Sequence, residues 1–114
     1  MRELRNKIEQ SNYWDARVKK LDCKYFGDEA KIVFEGEDKD IVYVFEECYD
    51  VRIKHIPEYP KDIPSRKLML AQIPYFMQNV EVNELRVNDI VYLEFNINMF
   101  PIEVYIVCRK FEIL

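Results

Sequence analysis

Threonine is absent from this sequence, histidine occurs once, and serine and glycine occur twice each. The scarcity excludes most catalytic constellations before any fold is known. A Ser-His-Asp triad, a Cys-His pair or a three-histidine zinc site needs residues that must converge in space, and here there are few to converge. Glycine-rich phosphate cradles are missing for the same reason. No internal repeat or low-complexity segment is visible. The longest uncharged stretch, Leu68 to Val80, is interrupted by Gln72, Pro74, Gln78 and Asn79 and falls short of the ~20 apolar residues of a membrane helix. The opening Met1-Arg2-Glu3-Leu4-Arg5 leads into no apolar core of a signal peptide, so a cytoplasmic chain with no membrane partner is expected.

Three cysteines, Cys23, Cys48 and Cys108, are an odd number without a Cys-x-x-Cys pair. They fit reduced thiols better than a disulfide framework. Each falls in an apolar run, so all three are expected to be small core residues. The carboxylates of Glu46, Glu47 and Asp50 around Cys48 oppose thiolate formation there.

What is present describes one domain. In 114 residues, 49% hydrophobic and 33% charged, there is apolar surface to bury and polar surface to cover it. Alternation of period two dominates, and the fold it predicts is mainly β. The expected architecture is an antiparallel meander forming a sandwich or partly open barrel of about seven or eight strands, with a short N-terminal helix over the first ten or so residues. A two-residue loop at Gly27-Asp28 would set Cys23 opposite Ile32 and Leu21 opposite Phe34. The opposite parity of Trp14, Ala16 and Val18 then calls for a bulge near Lys19-Lys20. The run Ile41 to Ile56 exceeds a typical strand and needs a bend around Glu46-Glu47. Pro57, Pro60 and Pro64 make His55 to Arg66 an exposed connection; in Leu68 to Asn79 the run Leu68 to Ala71 suits a short helix, but Pro74, Tyr75 and Phe76 interrupt it and favour extended structure. Asn88-Asp89 joins two strands with Val82 opposite Phe95, and Pro101 marks the last turn.

Candidate chemistry must be sought among carboxylates. Asp22 followed by Glu29-Ala30-Lys31 has the loose form of a metal-dependent nuclease core. In the register above, however, Asp22 faces Val33 and lies about 13 Å from Glu29, too far for one magnesium ion. The loop Glu35 to Asp40 lacks the ligand spacing of an EF-hand. His55, at a strand end beside Ile56-Pro57, suits a backbone hydrogen bond more than a general base. No metal or other cofactor is therefore expected, and no catalytic residue.

Charge is distributed unevenly. Residues 1–27 carry seven basic and four acidic side chains, residues 28–50 two and nine, residues 51–67 five and two, and residues 68–114 three and six. Glu35, Glu37, Asp38, Asp40, Glu46, Glu47 and Asp50, with Tyr49 among them, form the candidate partner-binding set. Such a surface repels nucleic acid and steers a basic protein toward itself. Tyr43, Tyr49, Tyr59 and Tyr92 are candidate interface anchors.

The size, the acidity, the missing catalytic inventory, and the textures Ile73-Pro74-Tyr75-Phe76-Met77-Gln78 and Ile102-Glu103-Val104-Tyr105-Ile106-Val107-Cys108 together resemble the small acidic immunity proteins with which bacteria neutralise toxins from neighbouring cells. That resemblance implies a protein-binding module whose rigid acidic surface occludes a partner's active site. Two alternatives belong to other classes. One is a small metal- or ligand-binding enzyme using acidic residues. The other is a structural subunit that self-associates through sheet edges or the patch Leu85, Val87, Ile90 and Tyr92.

Overall fold

The computed structural model describes residues 1–56, 64, 67–69 and 74–114. A helix α1 (Arg2–Gln10) precedes β1 (Val18–Lys24), β2 (Glu29–Glu35), β3 (Asp40–His55), β4 (Asn79–Val87), β5 (Ile90–Met99) and β6 (Ile102–Ile113). All neighbours are antiparallel in a single open sheet of order β1-β2-β3-β6-β5-β4. The mainly β antiparallel fold with a short N-terminal helix is the one expected, with six strands among the described residues rather than about seven or eight, in one sheet that does not close. The two segments predicted on either side of Glu46-Glu47 are one bent strand, which removes one from the count. The order also resolves the meander into two, β1-β2-β3 and β4-β5-β6, joined along a seam of β3 with β6 that runs from Tyr43↔Ile113 to His55↔Ile102. Most of the connection expected over His55 to Arg66, including Tyr59, and Leu70 to Ile73 of the following segment lie outside the described residues.

Local chemistry explains the turns. Asn88 and Asp89 both have positive φ, 49° and 65°, as a type I′ turn requires, and Val82 pairs with Phe95. Lys19 is the extra residue of a bulge between Val18↔Phe34 and Lys20↔Val33, so Val18 can face the core although Leu21 does too. Phe100-Pro101, a cis peptide, turns β5 into β6.

One face of the sheet holds the core. Ile32 and Phe34 of β2, Tyr43 and Phe45 of β3, Phe95 and Ile97 of β5, and Val104 and Ile106 of β6 are buried together. Phe45, Phe95 and Phe111 form a triangle with ring centroids 4.7 to 5.1 Å apart. Each buried ring contributes about 1.5–3 kcal/mol of transfer free energy, with a further fraction from ring–ring contacts. Helix α1 lies on this face through Ile8 and Leu4. Arg5 donates from Nη2 to the Val82 carbonyl (3.0 Å) and to Asn83 Oδ1 (3.1 Å), which ties the helix to β4. The hydroxyls of Ser11 and fully buried Tyr43 lie 2.7 Å apart in a hydrogen bond.

The segment 15–18 and the segment 75–77 meet beside this core. Val18 donates its N–H to Tyr75 (2.9 Å), Met77 to Ala16 (2.8 Å) and Asp15 to Met77 (2.7 Å). These bonds draw the approaches to the two edge strands together at one end without closing the sheet.

Candidate functional site

The candidate acidic residues do not form one cluster. The β2–β3 hairpin pairs Glu35 with Asp40 at its turn and Glu29 with Glu46 at its far end, six register steps or about 20 Å apart. Glu35, Glu37, Asp38 and Asp40 lie at the turn; Glu46, Glu47, Tyr49 and Asp50 lie at the far end.

At the turn, Gly36 donates its N–H to the Lys39 carbonyl at 3.1 Å. A Cβ on Gly36 would run into that same carbonyl oxygen, so the close approach needs glycine. Asp40 pairs with Lys19 at 3.0 Å. Exposed Trp14 and half-buried Arg17, whose guanidinium lies 5.6 Å from the Phe76 ring centroid, stand across a groove from this turn.

The far end is built differently. β1 and β2 separate after Lys24↔Glu29, so the link is the four residues Tyr25 to Asp28 rather than the two residues expected. Leu21 consequently pairs with Ile32 and Cys23 with Ala30. The expected register is displaced by two, and a shift of two preserves which side each residue faces. The link holds three consecutive left-handed residues: Tyr25 at φ 54°, Phe26 at 57° and Gly27 at 88°. For bulky side chains this conformation costs on the order of 1–3 kcal/mol each. Both aromatic rings are thrown into solvent, Tyr25 at 71% exposure and Phe26 completely.

Facing this link is the bend in β3. Glu47 has φ 53°, and Tyr49 is the extra residue between Cys48↔Cys108 and Asp50↔Val107. The Cys48 N–H donates to the Asp28 carbonyl at 2.9 Å and fastens bend to link. Tyr49 is 63% exposed and packs at a tilt against Tyr92, with centroids 5.3 Å apart. Between link and bend opens a groove of about 420 Å³ lined by Tyr25, Phe26, Asp28, Tyr49, Asp50 and Val51.

From the bend a polar row crosses the outer face. Asp50 accepts from Arg52 Nε at 3.2 Å and pairs with its Nη2 at 2.9 Å. The Arg52 guanidinium lies 5.4 Å from the Tyr105 ring centroid, and Tyr105 donates its hydroxyl to Glu94 at 2.6 Å. The hydrogen bond to the Glu94 carboxylate, with some burial and that carboxylate's charge, pushes the Tyr105 phenol up to about 12. Lys110 pairs with Glu47 at 3.0 Å.

The other sequence candidates are placed as follows. Asp22 pairs with Lys31, not Val33, so Glu29 lies two residues from its partner and about 7 Å along the strands instead of 13 Å. Each carboxylate there has a lysine, Asp22 with Lys20 at 3.2 Å and Glu29 with Lys31 at 3.7 Å. Among the described residues no three His, Cys, Asp or Glu side chains are grouped so as to hold a metal ion. His55 ends β3 with its ring 6.4 Å from that of Tyr75. Cys23 is exposed rather than in the core, because it stands on edge strand β1 past the reach of the covering segments. Cys48 and Cys108 are direct register partners. Burial, then the Asp28 charge, pushes Cys48 up to about 11, and burial pushes Cys108 to about 12, so both stay protonated at neutral pH. Tyr43 is no interface anchor, being fully buried. Leu85, Val87 and Tyr92 are half-buried and Ile90 more exposed, on one side of the β4–β5 hairpin. No helix among the described residues is long and apolar enough to cross a membrane.

Sequence reasoning missed Tyr25 and Phe26, which the two-residue loop placed inside a strand. A signal was available, since adjacent aromatics in a strand cannot both face one core.

Exposed aromatics on a braced, strained link thus stand beside the carboxylates of Asp28 and Asp50. Over residues 1–114 the chain matches the family model Immunity protein PIM7, and it belongs to that family. Its role is that of an immunity protein, which binds a cognate toxin and neutralises it. No curated protein matches the chain.

Proposed function

We propose that the chain neutralises a basic toxin by docking the acidic side of its β2–β3 hairpin over the toxin's active site. Glu46, Glu47, Tyr49 and Asp50 make the contact, while Glu35, Glu37, Asp38 and Asp40 add long-range attraction from the other end. The single observation that carries this reading is the company the far-end acids keep. Asp50 and the adjoining Asp28 share a groove with the exposed rings of Tyr25, Phe26 and Tyr49 on a fastened scaffold, and aromatics beside charge are what interfaces use as anchors. Rigidity matters because an ordered surface loses little entropy on binding. Self-association through β4 is the weaker reading, since Arg5 already occupies the Val82 carbonyl on that strand.

The test takes the cognate toxin domain and measures its dissociation constant for this chain at rising salt. Association should slow, and affinity should fall by about tenfold or more between 0.05 and 0.5 M salt, because screening shortens the reach of surface charge. A complex indifferent to salt would overturn the acidic-surface reading.

A further inference from the structure

The groove between the Tyr25–Phe26 link and Tyr49 has a composition that selects its occupant. The rings of Tyr25, Phe26 and Tyr49 and the Val51 side chain contribute the lesser, apolar part of its lining, and the larger, polar part includes Asp28 and Asp50. An apolar side chain would satisfy the rings and leave the Asp28 carboxylate without a partner. A hydrated cation would satisfy the carboxylates and gain nothing from the rings. Only a long side chain with an apolar stem and a cationic head meets both.

The same chemistry is already present next door, where Arg52 of this chain lies between the Asp50 carboxylate and the Tyr105 ring. Asp50 is thereby occupied. Asp28 has no hydrogen bond or ion pair to its carboxylate among the described residues, whereas its backbone carbonyl is held by Cys48. The backbone that carries it is thus held, and the exposed carboxylate is open to a ligand.

We infer that this groove receives one arginine or lysine side chain of the toxin, its stem against Tyr25, Phe26 and Tyr49 and its charge against Asp28. The inference rests on the proposed function and names the contact that the acidic surface makes.

Calorimetric titration of the purified toxin domain decides it, using Phe26→Ala, Asp28→Asn, and Glu84→Gln on the remote edge strand β4 as control. Phe26 and the Asp28 side chain support nothing in the fold, so melting should show the variants folded. Phe26→Ala and Asp28→Asn should each weaken binding by about tenfold or more, as loss of an interface anchor does. Glu84→Gln should change it less than about twofold. Unchanged affinity for Asp28→Asn overturns the inference, because an apolar side chain or a second copy of this chain seated in the groove would not need that charge. If both groove variants bind like the parent while salt still weakens the complex, the inference falls and the acidic-surface reading stands. A salt-insensitive complex brings down that reading itself.

Discussion

The two ends of the β2–β3 hairpin carry similar charge on unlike scaffolds. At the Gly36 turn the backbone is relaxed about a glycine, and Asp40 is paired with Lys19. At the far end Tyr25 and Phe26 sit in left-handed backbone, their rings in water, held there by the bond from Cys48 to Asp28. Acid on a turn serves solubility as readily as binding. Strain combined with exposed aromatic surface does not serve the isolated chain at all, and it persists only where neighbouring structure enforces it. The contrast separates acid on a relaxed, ion-paired turn from acid beside exposed rings on strained backbone.

The hardest way to break the comparison is to remove what both ends share. Phe45 pairs with Ala30 and Phe111 and touches Phe95, so Phe45→Ala should cost about 3–5 kcal/mol in urea unfolding, with toxin binding lost together with the fold. A cost below about 1 kcal/mol would mean that the two ends do not depend on one core.

Alkaline unfolding probes the same shared middle. Burial pushes the Tyr43 phenol up to about 12 from its ordinary 10.0, against the opposing effect of its Ser11 hydrogen bond. A raised folded value makes the contribution complete below pH 10 and lost as pH climbs toward 12, because the unfolded phenol ionises first. Stability should fall by an amount on the order of 2 kcal/mol across that window, and Tyr43→Phe should flatten that part of the profile. A profile as steep in the variant as in the parent would assign the loss to other groups.

The glycines sharpen the contrast between ends. Gly36→Ala drives a Cβ into the Lys39 carbonyl and should destabilise by roughly 1–3 kcal/mol. Gly27→Ala meets open space and suffers only its positive φ, for about 1 kcal/mol. Equal losses in thermal melts would show that the turn yields as easily as the link.

The smallest effect is the most discriminating. Phe26→Asn places a residue tolerant of left-handed backbone where a bulky one stands, and it should raise stability by about 0.5 kcal/mol while weakening toxin binding. A lower melting temperature would show that Phe26 packs on something and is not held at a cost to the fold.

Much of the local architecture was legible because its causes are local. Asn88-Asp89 accepts positive φ at both central positions, so the β4–β5 register follows from two residues. The parity change between Val18 and Leu21 announces the bulge at Lys19. The length of the run from Ile41 demands the bend near Glu47. The link at Tyr25 was misread because glycine and aspartate are good two-residue turn formers, and nothing nearby says that the strands separate two positions earlier. Its cause is distant: the Asp28 carbonyl receives the N–H of Cys48, twenty residues on. What lies over the sheet was not legible for a similar reason, since periodicity tells which face is buried but not what covers it. Here α1 and the segments 13–18 and 75–77 do so.

By itself, then, the sequence determined the chemistry this protein lacks, the class of its fold, the side each strand buries and the excess of acid between residues 28 and 50, for these depend on composition and on neighbours a few positions apart. Only the tertiary structure decided that β3 and β6 form the seam, that the acids divide between two ends, and that one end adjoins Tyr25 and Phe26. Those outcomes depend on hydrogen bonds and packing between residues distant in the chain, whose partners no local pattern encodes.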